Sequence, residues 1–331
     1  MYLAPAKKHT IMNKFRFYFI LLFITVTLFS CNKDDEAKPV PVRDYAEQYA
    51  KDIDSIETYL KTHYITEVTI DGLQDVIIDT LIVGNPEGHV SIWDNTDFPL
   101  QVKMVNNDAR TSNLVDGKLI DSVDYKLYYL VLNEGGGSTA TDVDSTFTTY
   151  RGFTLDYEDF DKNTTGIWST YPALSMLESQ LISGYRQFVP ELKAATNAAT
   201  NDDGTISYTN SGVGVVFIPS GLGYFNAGRV GIPAYSPLVF VVRLNKVRKR
   251  DHDRDGILTI NENLNNDNDF YNDDSDGDNV PNFLDIDDDD DNFLTKNEIK
   301  KPDGANYPFE EIPNCQGTTG GLKKYLDPSC H

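Results

Sequence analysis

The chain has 331 residues, with 51 Asp and Glu against 29 Lys and Arg, for a formal net charge of −22 at pH 7. Forty per cent hydrophobic and 11% aromatic residues supply a core and exclude global disorder, and the length allows two or three domains. The excess acid repels phosphate backbones, so nucleic acid is excluded as an expected partner and divalent cations are favoured. At the N-terminus, Lys7, Lys8, Lys14 and Arg16 precede or enter an acid-free apolar stretch running from Phe17 to Phe29. That run is too short for a comfortable bilayer span and fits the core of a signal peptide.

The apolar run ends at Leu28-Phe29-Ser30-Cys31. A small residue directly before a cysteine, with Leu three positions before it, resembles the bacterial lipobox. The resemblance implies cleavage before Cys31 and lipidation of its thiol; an ordinary secretory peptide is the alternative. Asn32-Lys33-Asp34-Asp35-Glu36 is similar to the Lys-acid-acid export signal of Bacteroidetes-type lipoproteins. Residues 1–30 are thus expected to be a signal peptide and residues 31–42 a tether. The expected location is the outer membrane, reached through an N-terminal lipid, on the periplasmic side or, by preference, the cell surface.

In the mature chain Tyr45, Tyr49, Ile53, Ile56, Tyr59 and Leu60 recur at spacings of three and four, which predicts an amphipathic helix over residues 43–63. From Ile65 the period becomes two, and Asp71-Gly72, Asn85-Pro86 and Asp116-Gly117 read as turns. Residues 43–122 are therefore expected to be a helix with a β-rich subregion. Strands continue to residue 247, the clearest spanning residues 125–133, and Gly135 to Gly137 read as a turn because no Lys-Ser/Thr follows to make a phosphate loop. One short helix is expected between Pro172 and Phe188, a hairpin turn at residues 201–204 and a closing strand at residues 238–244. The fold class is α+β, an antiparallel sheet with one short helix packed on it.

Four motifs in residues 123–248 resemble, in order, the FKBP-type peptidyl-prolyl cis-trans isomerase family. They are the strand and Gly turn from Tyr129 to Gly136, Tyr150-Arg151-Gly152 with Phe160-Asp161, Leu181-Ile182-Ser183-Gly184-Tyr185, and Ile218-Pro219 through Leu222-Gly223-Tyr224 to Ile232-Pro233 and Leu238-Val239-Phe240. The resemblance implies that Tyr150, Phe160, Leu181, Ile182, Tyr185, Tyr224 and Phe240 line an aromatic pocket. Asp161 and Tyr224 would contact a bound carbonyl, and the Ile182 amide would hold a second. Tyr185 stands where the family usually has Trp, Arg151 replaces Thr, Phe225 replaces Gly, and residues 194–214 lengthen a connection. Trp168 is a candidate for one more pocket position. Aromatic packing in an ordinary sheet-on-helix core is the alternative explanation of the aromatic set alone.

Past Arg248 the composition turns to Asp and Asn. Asp251, Asp253, Asp255 and Glu262 occupy positions 1, 3, 5 and 12 of a twelve-residue loop, with Gly256 at position 6 and Ile257 offering its carbonyl at position 7. This is the EF-hand calcium-loop pattern. Asp287, Asp289, Asp291, Phe293 and Glu298 repeat it, and Asp274, Asp276, Asp278, Val280 and Asp285 form a third, whose text resembles thrombospondin type 3 repeats. Residues 251–298 hold 17 acids against Arg254 and Lys296. The expected ligand is structural Ca2+, with a disordered acidic tail as the alternative. Cys315 and Cys330, in residues 301–331, are expected to pair as a disulfide, two free thiols being the alternative.

These patterns point to two functions. One is an isomerase acting on proline-containing polypeptides, tethered by lipid and carrying calcium. The other is an FKBP-fold binding or adhesion module of weak or no activity on a calcium-stabilised stalk. Hydrolase chemistry finds no support, since the five His are dispersed and no Gly-x-Ser-x-Gly or His-Glu-x-x-His motif occurs.

Overall fold

A helix opens the folded unit because Asp44 caps it: its carboxylate accepts hydrogen bonds from the amides of Ala46 (2.9 Å) and Glu47 (3.2 Å). Helix α1 runs Tyr45–Thr62 and buries Ile56, Tyr59 and Leu60. It leads directly into a hairpin of β1 (His63–Ile70) and β2 (Leu73–Thr80), in which Ile70 pairs with Leu73. The computed structural model describes residues 41–70, 72–108, 121–174, 178 and 181–330; the leader, Cys31 and the turns at Asp71 and Asp116-Gly117 lie wholly or partly outside them. The described residues from Arg43 onward form one compact unit. Among the described residues no helix is long and apolar enough to cross a membrane.

The central sheet comprises β3 (Gln101–Val105), β4 (Tyr125–Asn133), β5 (Ser145–Thr154), β6 (Asp159–Ser169), β9 (Gly212–Ile218) and β10 (Leu238–Arg248), in the order β3-β4-β9-β10-β5-β6. Every pairing is antiparallel. A six-residue helix α2 (Ser183–Phe188) packs on one face, and β7 (Asn197–Thr200) and β8 (Ile206–Thr209) form an exposed hairpin that accounts for the lengthened connection.

Both faces of this sheet are buried. The front core joins Leu127, Tyr129, Val216, Ile218, Leu238, Phe240 and Val242 to Tyr185, Phe188 and Leu192. The back core sets Tyr128, Leu130, Val215, Phe217, Val239 and Val241 against Ile56, Tyr59 and Leu60 of α1 and Val76 and Ile78 of β2. Strands covered on both sides have little polar face to show, which is why residues 213–218 of β9 and residues 238–242 of β10 read as apolar runs. Residues 45–80 thus form a second layer of the same domain.

Arg151 fastens that layer. It lies on β5 with its side chain on the back face, 6% exposed, and its Nε and Nη2 donate to the two carboxylate oxygens of Asp75 on β2 at 3.0 and 2.7 Å. Nη2 also donates to the Val76 carbonyl (2.7 Å), and Nη1 to Asp159 (3.0 Å). Burial alone would lower the Arg151 pKa; the hydrogen bond and charge of Asp75 outweigh it and hold the guanidinium above its ordinary range. Arg151 thus ties β5 to the β1–β2 hairpin.

Candidate active site and acidic loops

The front face of β5 carries Thr148, Tyr150 and Gly152 toward α2, because alternate residues of a strand point the same way. A bulge places two residues of β6 opposite one step of β5: Gly152 pairs with Asp161 and Phe153 with Asp159, leaving Phe160 as the extra residue. Bulges re-aim side chains, and here the Phe160 ring turns onto Phe240, with centroids 5.4 Å apart and planes at 79°. Gly152 makes the approach possible, since a Cβ there would lie 2.7 Å from both the Phe160 and Phe240 rings.

Phe240 is the hub. Its ring meets Tyr185 edge-on at 5.3 Å and Tyr150 at 5.9 Å, while Tyr150 and Tyr185 meet at 5.9 Å. Tyr185 and Phe240 form a buried floor, and Tyr150, Phe160, Leu181, Ile182 and Tyr224 stand partly exposed around it. The Tyr150 hydroxyl donates to Asp161 at 2.6 Å, and the second Asp161 oxygen accepts from the Lys162 amide at 2.8 Å. Burial, then the Asp161 hydrogen bond, pushes the Tyr150 phenol well above its usual range. Tyr150, Phe160, Leu181, Ile182, Tyr185, Tyr224 and Phe240 all belong to or pack against the front core, and Asp161 joins them through Tyr150.

The hydroxyl that Tyr185 adds in place of a Trp edge donates to Thr148 at 3.0 Å, inside the wall. A buried phenol thus has its partner without presenting a charge to the pocket. Trp168 does not join this set: its ring packs on Phe147 (5.4 Å) and lies under the Arg248 guanidinium (4.7 Å). Phe147 and Thr148 point to opposite faces of β5, which puts Trp168 with the former.

The turn that delivers Tyr224 is held from α1, a connection that no local pattern in the sequence marks. Buried Asp52 accepts from the amide (2.8 Å) and hydroxyl (2.6 Å) of Ser220, the first residue of a 3₁₀ turn. Phe225, in the place of a family Gly, keeps a left-handed backbone (φ 48°) and stacks on Tyr45 at 4.2 Å. The Arg229 guanidinium lies 5.0 Å from the Tyr224 ring.

In the acidic region the carboxylates turn inward. Asp251, Asp253 and Asp255 converge, as do Asp274, Asp276 and Asp278, and Asp287, Asp289 and Asp291, with oxygens of each set within 4.8 Å of one another. Backbone amides orient them: Asp251 accepts from Arg254 and Gly256, and Asp274 in the same way from Gly277 and Asn279. Positions 4 and 6 are left-handed in each loop, at Arg254 and Gly256, Gly277 and Asn279, Asp290 and Asn292. Both Glu262 oxygens, both Glu298 oxygens and both Asp289 oxygens are buried without a partner. Burial, then neighbouring carboxylates, raises Asp289 to about 6 and Glu298 to about 8, and holds Glu262 well above its ordinary value. Inward and oxygen-rich, these sets fit a hard divalent cation.

A fourth loop stands beside the three expected ones. Residues 263–274 repeat the left-handed fourth and sixth positions at Asn266 and Asn268, and the carboxamide and carboxylate of Asn265 and Asp267 accept from the amides two residues on, at 2.8 and 2.7 Å. Asn at positions 1 and 3 hides it from a search for acids. The available signal was the apolar eighth position shared by Leu258, Phe270, Pro281 and Leu294. Among the described residues each loop exits into a single turn, at Thr259–Asn261, Asn282–Leu284 and Thr295–Glu298 (α3), in place of the paired long helices of an EF-hand. Beyond α3, Cys315 and Cys330 form a disulfide.

Residues 252–320 match the family model described as BamM C-terminal. No curated protein matches the chain significantly. Among solved structures it is similar to FkpA from Escherichia coli at 26% identity and TM-score 0.29, over 37% of this chain and 48% of that one. It is also similar to a peptidyl-prolyl cis-trans isomerase from Pseudomonas syringae pv. tomato (20%, TM-score 0.29, 43% and 86% covered) and to the N-terminal domain of FKBP42 from Arabidopsis thaliana (16%, 0.30, 40% and 91%). The chain thus spans about half the length of FkpA.

Proposed function

We propose that residues 123–248 are an FKBP-type peptidyl-prolyl cis-trans isomerase acting on exported polypeptides, carried by an outer-membrane lipoprotein whose acidic region folds around structural calcium. The observation that carries the isomerase reading is the ring cluster of Tyr150, Phe160, Tyr185 and Phe240 with the Tyr150–Asp161 hydrogen bond, assembled from residues at the family's motif positions. Rotation about an Xaa-Pro bond faces a barrier of about 18–20 kcal/mol because resonance keeps the amide planar. A proline ring seated on Phe240 and Tyr185 would be dehydrated, and a dry apolar wall disfavours the dipolar planar amide relative to the twisted transition state. The Tyr224 hydroxyl and the Ile182 amide are assigned to the flanking carbonyls. Asp161, held by Tyr150, fixes the rim. No nucleophile is needed.

Calcium binding is supported by the unpartnered buried carboxylates, which would otherwise repel one another at neutral pH. The outer-membrane assignment rests on the lipobox-like leader at Cys31 and the BamM C-terminal match of residues 252–320. The decisive test is a cis-trans assay on Xaa-Pro peptides with the calcium-saturated protein. Catalysis that a macrolide FKBP inhibitor blocks, and that Phe240→Ala abolishes, supports the reading. A folded protein without catalysis refutes it and leaves the binding-module function. Incorporation of labelled fatty acid, lost in Cys31→Ala, tests the anchor.

A further inference from the structure

The strongest feature outside the pocket joins the two ends of the acidic region. Asp255 and Glu262 belong to the loop 251–262, Asp288 to the loop 287–298, yet carboxylate oxygens of all three lie within 4.8 Å of one another. All three are 1% exposed. Asp288 sits at position 2 of its own loop, a position whose side chain does not ordinarily ligate that loop's ion. Its Oδ2 accepts from the Thr295 hydroxyl at 3.0 Å, whereas Oδ1 is buried without a partner. The remaining Asp255 oxygen and both Glu262 oxygens are likewise unpartnered.

We propose that Asp288 is a ligand of the cation held by the loop 251–262, so that a single ion ties the first acidic loop to the last. The inference rests on the calcium reading above. Asp251, Asp253, Asp255, the Ile257 carbonyl and a bidentate Glu262 offer six oxygens; calcium accepts six to eight, and Asp288 Oδ1 supplies the seventh. Thr295 presents that oxygen by holding the other. Tyr325, from the segment closed by the Cys315–Cys330 disulfide, brings a buried, unpartnered hydroxyl to the same place, and these three carboxylates push its ionisation further up. The ion would thus sit where three separate stretches of the acidic region meet.

The test is calcium calorimetry on the full-length protein, comparing wild type with Asp288→Asn, Glu262→Gln, the double variant and Asp290→Asn. Asp290 is exposed in the same loop, so its variant removes the same charge without the proposed ligand. Asp288→Asn is expected to weaken one site by more than the roughly 10- to 100-fold that loss of an outer-shell partner costs, and Asp290→Asn by less than about threefold. Asp288→Asn and Glu262→Gln should weaken the same site non-additively, because both act on one ion. Near-UV circular dichroism at saturating calcium checks that Asp288→Asn folds; a variant that does not is replaced by Thr295→Val, which frees Asp288 and should weaken the same site. Wild type that binds no calcium refutes the calcium reading as a whole. Wild type that binds while Asp288→Asn matches Asp290→Asn, or is strictly additive with Glu262→Gln, overturns the cross-loop ligand alone.

Discussion

Replacing Arg151 with Met tests whether residues 45–80 are a layer packed integrally on the central sheet or an appendage. The substitution keeps the aliphatic stem and removes the guanidinium, leaving Asp75, 7% exposed, without its hydrogen-bonded cation, although the Arg243 charge still acts on it. Removing one member of a buried pair costs about 3–5 kcal/mol, because the other charge stays desolvated. The Asp159 contact adds little, since its carboxylate is more than half exposed. For a unit of this size the loss corresponds to a melting-temperature drop of about 6–20 °C. Calorimetry at saturating calcium reads it, and Asp75→Asn combined with Arg151→Met should recover most of it by removing the orphaned charge. Because Arg151 neighbours Tyr150 in sequence and Asp159 neighbours Phe160, the single variant should also lower kcat/KM. A cost under about 1 kcal/mol, the scale of an exposed pair, would refute the account of a buried clamp.

Two further predictions concern single contacts. Tyr185→Phe removes a hydroxyl that points into the wall, so it should cost about 1 kcal/mol, the net value of one hydrogen bond, while isomerase activity is retained; loss of activity in urea-stable protein would show that the hydroxyl works in the pocket. His63 caps the C-terminus of α1, where burial holds its pKa below the ordinary value. Its neutral form is therefore favoured by the fold: this stability is fully present above the unfolded value of about 6.5 and is lost as pH falls through the folded value. Urea midpoints measured at saturating calcium between pH 8 and 5 should fall for wild type relative to His63→Gln, the difference isolating His63 from the acidic loops.

Period and spacing are legible in the sequence, whereas contact between distant residues is not. The stripe of α1, the strand at residues 125–133 and three of the acidic loops could be read because each is a local pattern. The apolar runs at residues 213–218 and 238–242 are local as well, and both of their faces are covered in the fold. No local signal paired Asp75 with Arg151, Asp52 with Ser220 or Asp255 with Asp288, since each joins residues far apart in the chain. Trp168 falls outside the pocket for a related reason: strand parity decides its face, and the bulges in β6 shift that parity where spacing alone cannot place them.

The acidic loops and the ring cluster meet at α2. That helix has six residues, too few to hold its own shape, so the position of Tyr185 depends on what grips the helix from outside. Phe188 grips the sheet on one side. On the other, the Arg186 guanidinium lies 3.6 Å from the centre of the Tyr171 ring, and the Tyr171 hydroxyl donates to Asp108 at 2.7 Å. Tyr171 in turn is buried against Phe270, Tyr271 and Phe283, which come from the acidic loops and the turn that ends one of them. If calcium folds those loops, its removal should withdraw three aromatic side chains from Tyr171 and weaken the cation–π contact of Arg186, worth about 2 kcal/mol in a buried setting, leaving Arg186 its hydrogen bond to the Asp108 carbonyl at 2.6 Å and its ion pair with Asp142. Chelation is therefore expected to lower kcat/KM toward Xaa-Pro peptides, and Tyr171→Leu should give much of the same loss with calcium present. Unchanged catalysis in chelator, under conditions where protease cuts the acidic region, would show that α2 is held by the sheet alone.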